Sequence, residues 1–212
     1  MSRWKKTSME YLIRQVSRVF LASLFLGLCL PLGILLEFSL AATICVSLAS
    51  WILLTIGKDL KNKLANKPSL RSGLSSLSSS YVGMVLAHTG ISVILIGAGL
   101  TTYFSLERSI LLGPGEQVEL GSYAFIFNGH EEIRGPNYIG DRANISVLRN
   151  GSEIETLYPE RRIYLASGTP STEMAIDAGL LRDLFVTLGE EKEGGSWSMT
   201  VYVKPFVRWI WL

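Results

Sequence analysis

Three long uncharged apolar runs constrain this 212-residue chain more than any other feature. VFLASLFLGLCLPLGILL, residues 19 to 36, and LAATICVSLASWILLTI, residues 40 to 56, each reach the ~17 residues that a helix needs to cross bilayer hydrocarbon. The third run spans 81 to 104 and contains the unusual stretch GMVLAHTG. In hydrocarbon every backbone N–H and C=O must be satisfied within the chain, so runs of this length are expected to be helices. Only Glu37, Phe38 and Ser39 separate the first two, which predicts a tight transmembrane hairpin over 19 to 57 with Glu37 at its tip. Pro31 lies near the end of the first helix, where a kink is tolerated. Cys29 and Cys45 both fall inside apolar runs and read as small packed hydrophobes, not as a bridge or a metal pair. The first run lacks a small-residue cleavage site and so reads as a retained anchor.

Charge decides sidedness. Residues 1 to 104 hold ten Lys/Arg against three Asp/Glu, whereas 105 to 212 hold ten against fifteen, so a net charge of +2 conceals halves of +7 and −5. Arg3, Lys5, Lys6, Arg14 and Arg18 precede the hairpin, and Lys58, Lys61, Lys63, Lys67 and Arg71 follow it. The positive-inside rule therefore places both the segment 1 to 18 and the basic, serine-rich loop 58 to 80 in the cytoplasm. Ser78, Ser79 or Ser80 is the expected cap of the third helix, 81 to 104. A third crossing sends residues 105 to 207 to the far side, the periplasm or an equivalent organellar space. At 208 to 212 the ending RWIWL reads as the start of a final span entering through an aromatic belt.

About a hundred far-side residues suffice for one small domain with its own core. QVEL, YAFIFNG, ANISVLRNG, IETLYPE, RIYLAS and WSMTVYVKP read as strands, with turn signals at GPGE, GPN, RNGSE and GEEKEGG. Asn150-Gly151 marks a hairpin. One helix is predicted over 172 to 189, capped by Ser171 or Thr172, because Ala175, Ile176, Leu180, Leu184 and Leu188 fall near helical spacing. The expected fold class is thus an integral membrane α-helical protein with three transmembrane helices and a fourth begun at the C-terminus. Joined to it is an extracytoplasmic, mainly antiparallel β domain containing one helix. The sequence holds no nucleophile elbow, phosphate loop, cysteine-pair metal site or dinucleotide fingerprint.

His88 is the polar residue that an apolar span does not need. On a helical wheel Gly83, Ala87, Gly90, Gly97, Ala98 and Thr101 form a small-residue stripe suited to close helix contact, and His88 lies about 140° from Gly83 with Tyr81, Ser92, Leu95 and Gly99 near it. Three roles fit: packing through a hydrogen bond, a proton relay completed by another chain, or axial ligation of a heme, for which neutral imidazole is a standard ligand. The other histidine, His130, stands in FNGHEEIRGPNY and reads as a solvated loop residue.

Five collinear motifs carry a family resemblance: GMVLAHTG at 83 to 90, GPNY at 135 to 138, YPERRIY at 158 to 164, TEMAIDAGLLRDLFVTLGE at 172 to 190 and KPFVRWIW at 204 to 211. Together they resemble the C-terminal part of CcmF, the cytochrome c-type heme lyase of the cytochrome c maturation (system I) machinery. The resemblance implies a subunit or fragment of a membrane complex that takes heme from the carrier CcmE and attaches it covalently to apocytochrome c. It also implies a transmembrane b heme with His88 as one axial ligand to the iron. The implied location is the bacterial inner membrane, or the mitochondrial inner membrane, with the C-terminal domain in the periplasm. The implied partners are the WWD-containing N-terminal part of the lyase, CcmH, CcmE and apocytochrome c, with no nucleic acid among them. Family members also carry the WWD segment, a pair of periplasmic histidines and a further span. These 212 residues hold none of the three, so the chain reads as part of a split gene or as a fragment, inactive alone. Arg161 and Arg162 are candidates for heme propionates or an acidic partner, although adjacent arginines on a strand are more often solvated. Asp177, Arg182 and Asp183 are expected as ion pairs on a helix surface or as a partner-binding face. The alternative function is a non-catalytic assembly or scaffold subunit of cytochrome c biogenesis; a small b-type electron carrier is a third reading.

Overall fold

The computed structural model describes residues 9–35, 38–65, 67–192 and 194–211. Arg3, Lys5, Lys6 and the expected hairpin tip Glu37 lie outside the described residues, as do Glu193 of the GEEKEGG turn signal and the last residue of the expected final span, Leu212. The chain divides into two compact units, residues 1–103 with 209–212 and residues 104–208.

The first unit is helical. Helix α1 covers Met9–Leu35, α2 Leu40–Leu64, α3 Leu70–Ser75 and α4 Ser79–Phe104. Of these, α1, α2 and α4 are long and apolar enough to cross a membrane. Pro31 sits within α1 without ending it. Ser39 stops the chain between the hairpin helices, its extended backbone at φ −134° and its hydroxyl oxygen accepting the Ala42 N–H at 3.2 Å. The two helices meet through small residues. A Cβ on Gly27 of α1 would lie 1.9 Å from Ser47 Oγ and 2.8 Å from the Thr43 carbonyl oxygen, so glycine is what allows that approach. Phe20 and Trp51 add an edge-to-face contact with centroids 5.7 Å apart.

The segment expected as a loop from 58 to 80 is partly helical. KDLKNKL holds good helix formers and the first breaker is Pro68, so α2 continues to Leu64; Ser69 then caps the short α3, with the Ser72 N–H on its Oγ at 3.2 Å. Of the three candidate serines, Ser78 caps α4, its Oγ accepting the Tyr81 N–H at 3.3 Å. Near this end Tyr81 donates its hydroxyl to Asp59 Oδ2 at 2.9 Å while Lys63 Nζ lies 4.6 Å from its ring.

The second unit is an antiparallel β-sandwich. Its strands are β1 (Leu106–Leu112), β2 (Gln117–Leu120), β3 (Tyr123–Arg134), β4 (Tyr138–Arg149), β5 (Ser152–Leu157), β6 (Glu160–Tyr164), β7 (Pro170–Glu173), β8 (Ala175–Ala178), β9 (Arg182–Lys192) and β10 (Ser196–Pro205). One sheet runs β1-β10-β9-β8, and the other β2-β3-β4-β6-β7 with β5 also paired to β4. Alternate residues point inward, as period-2 patterning requires, so Phe125, Phe127, Ile145 and Val147 face Leu184, Val186, Leu188, Met199 and Val201 in one buried core. The β4–β5 hairpin turns at Asn150 and Gly151, whose φ values of 53° and 79° match the left-handed pair that this dipeptide favours.

The fold class is as the sequence implies except for the helix inside the β domain. Residues 172 to 189 form no helix: β7, β8 and most of β9 occupy that stretch. Leu184, Val186 and Leu188 are all fully buried on one face of β9, a period of two. The spacing of four between Leu180, Leu184 and Leu188 fits a helix turn, but four is also an even number, and Val186 between them decides for strand. In the segment expected to open a final span, Val207–Ile210 form a single 3-10 turn.

Candidate functional site

His88 lies exposed on α4, and Met84 and Ile91, one turn to either side on the same face, are exposed apolar residues. Its Nδ1 is 2.9 Å from the Met84 carbonyl oxygen one turn back. A carbonyl only accepts, so Nδ1 is the donor in this contact and Nε2 is the nitrogen left outside it. One turn onward, the Ser92 hydroxyl donates to the His88 carbonyl at 2.8 Å, and Ser92 is fully buried. The ring is thus held through one nitrogen and presents the other, Nε2, away from that bond. Such a group accepts a proton donor or ligates a metal.

The small residues of α4 are used differently from the wheel's expectation. A Cβ at Gly83 or Gly90 of the glycine stripe would meet nothing within 4 Å, so those positions are open surface. At Gly97 it would come within 2.8 Å of Trp209 Cβ. The close approach to α2 occurs instead at Gly99, on the face of His88, where a Cβ would lie 2.6 Å from Cys45 Cβ. Gly83 and Gly90 lie about 140° and 160° round the helix from His88, so that open surface is not on the face that carries the imidazole.

These features fit one side of a heme: the back-bonded Nδ1–H is the outer hydrogen bond that orients a metal-binding imidazole, and the surface around it is apolar. Among the described residues there is no cluster of three or more His, Cys, Asp or Glu able to hold a metal ion.

His130 is not a loop residue. It lies on β3 just after an irregularity at Phe127/Gly129, paired with Ala143, with its ring 4.7 Å from that of Trp197 at 50°. It borders a recess of about 370 Å³ also lined by Asn128, Arg142, Asn144 and Tyr158. Its polar neighbours misled the sequence reading: the outer half of β3 is the exposed part of a 12-residue strand.

The arginines of YPERRIY are already engaged. Glu160 is buried and takes Arg142 Nη2 at 2.7 Å and Arg162 Nη2 at 2.6 Å; Arg162 also stacks 4.4 Å over Tyr138. Arg161 reaches Glu190 at 3.5 Å. Asp177, Arg182 and Asp183, expected on a helix, stand on strands. Arg182 pairs with Asp177 and donates its Nε–H to Tyr123 Oη at 3.2 Å, while buried Asp183 accepts the Gly179 N–H at 2.9 Å and faces Arg208 at 3.5 Å.

Comparison with known proteins gives a consistent result. The family described as CcmF C-terminal beta-sandwich matches residues 103–205. The cytochrome c-type biogenesis protein CcmF of Pseudomonas aeruginosa is 43% identical over 211 residues, covering 99% of this chain and 32% of that protein. Its Escherichia coli counterpart is 34% identical over 209 residues, covering 99% of this chain and 31% of that protein. A solved structure of Cytochrome c Heme Lyase CcmF superposes with a TM-score of 0.77 at 19% identity, covering 99% of this chain and 33% of that one. The chain spans about a third of the length of the relatives it matches.

Proposed function

From the premise that the chain belongs to the CcmF family and matches the C-terminal part of its members, we propose that it serves cytochrome c biogenesis as part of a heme lyase complex in the bacterial inner membrane. In that complex His88 is one axial ligand to a transmembrane b heme. The observation that carries this reading is the Nδ1–H···O=C bond to Met84, which leaves Nε2 as the outward lone pair. Heme bound there supplies one-electron redox chemistry. The protein's own contribution is positional: the Met84 carbonyl holds the ring through Nδ1, Ser92 closes the turn behind it, and Met84 and Ile91 provide an apolar surface.

The second ligand comes from another polypeptide, the WWD-containing N-terminal part of the lyase. The β domain lies in the periplasm, where CcmE delivers heme, and where CcmH and apocytochrome c are engaged. The acidic balance of residues 105 to 212 against the basic first half supports that sidedness.

The reading is tested by co-expressing the chain with the rest of the lyase, purifying the complex and recording reduced-minus-oxidised spectra. A b-type spectrum is expected from the native chain, reduced at least ~10-fold in His88→Ala at equal yield of assembled complex. An unchanged spectrum in the variant overturns the assignment.

A further inference from the structure

The turn between β8 and β9 holds two exposed leucines, Leu180 at 64% and Leu181 at 61%, on a tightly built frame. Asp183 is buried and takes the Gly179 N–H at 2.9 Å, Arg182 is fastened to Asp177 and Tyr123, and the Phe206 N–H donates to the Leu181 carbonyl at 3.0 Å. A hydrogen-bonded turn that displays adjacent large apolar side chains is a candidate contact surface.

Its place in the sheet says what it contacts. Ala178 pairs with Asp183, Arg182 with Pro205 and Val203 with Leu106, so this turn, the first residue of β1 and the last of β10 share one end of the sheet. At that end the chain arrives from α4, which closes at Phe104 and is long and apolar enough to span a bilayer. Leu106, two residues on, is itself exposed. This end also carries cations. Arg149 lies 5.6 Å over the Tyr123 ring, Lys204 Nζ sits 5.3 Å from the Phe185 ring and 5.1 Å from that of Tyr202, and half-exposed Arg208 faces Asp183. Of the acids here, Asp177 pairs with Arg182, Asp183 faces Arg208, and Glu107, next to Leu106, pairs across to Tyr202.

We propose that this end of the β domain is a lipid-docking surface. Leu106, Leu180 and Leu181 enter the boundary between headgroups and acyl chains, while Arg149, Lys204 and Arg208 meet lipid phosphates. The proposal rests on the membrane-spanning reading of α4 and is independent of the heme assignment.

The full chain, with Cys29→Ala and Cys45→Ala, is reconstituted in nanodiscs of phosphatidylethanolamine and phosphatidylglycerol. A single fluorophore is attached at Leu181→Cys, at Leu106→Cys or, as the remote reference on β9, at Lys192→Cys. Spin-labelled lipid is expected to quench the label at 181 and at 106 at least ~3-fold more strongly than at 192, with iodide quenching in the reverse order. Equal iodide access at all three positions overturns the proposal. So does protection of 181 and 106 from both quenchers, which would mean that protein covers them. Two reporters keep the test decisive if one substitution impairs folding.

Discussion

Glu160 shows how much a single side chain can hold in this molecule. Burial on its own pushes its carboxyl up, but hydrogen bonds from Arg142 and Arg162 outweigh it, so Glu160 titrates below the usual carboxylate range. A depressed pKa contributes stability that is complete above the unfolded-state value, near 4.3 for glutamate, and is lost as pH falls through the folded-state value. The β domain should therefore lose stability as pH drops below about 4.3. Glu160→Gln should cost about 3 kcal/mol at pH 7, because two guanidiniums lose their carboxylate, and should flatten this part of the acid dependence. Denaturant midpoints of the full chain at pH 7 and pH 3.5 check both. His88 is held more simply, by one backbone carbonyl, and its role depends on which nitrogen that carbonyl leaves free.

Among the elements, the α1–α2 hairpin depends on an absence of side chain. Gly27→Val should force the helices apart and cost about 2 kcal/mol, read as a lower midpoint in detergent and faster cleavage between Phe38 and Ser39 by a broad-specificity protease. The membrane helices were legible because twenty uncharged apolar residues leave a chain few alternatives, and the Asn150-Gly151 hairpin because only a few residue pairs accept two positive φ angles. Residues 172 to 189 were misread because a four-residue spacing satisfies both periods, and the β-branched pair Val186-Thr187 carried the weaker but correct signal. The contact of Gly99 with Cys45 was hidden for another reason. A wheel groups residues by face but does not say which face a neighbour selects.

At the scale of the molecule, the charge split and the two compact units have one origin: a basic helical unit built for hydrocarbon and an acidic sandwich built for water. His88 was legible as anomalous, since histidine in an apolar span demands a partner, but which of its nitrogens is engaged emerged only with the Met84 bond. As proposed, the one imidazole within the spans supplies half of a heme site, and the chain spans about a third of the length of its relatives. The most direct test of that central claim is chemical rescue. In the assembled complex His88→Gly should lose the low-spin b-type spectrum and regain it on adding imidazole, because free imidazole replaces the missing ligand. A spectrum that survives in His88→Gly, or one that imidazole leaves unrestored in an intact complex, would contradict the account.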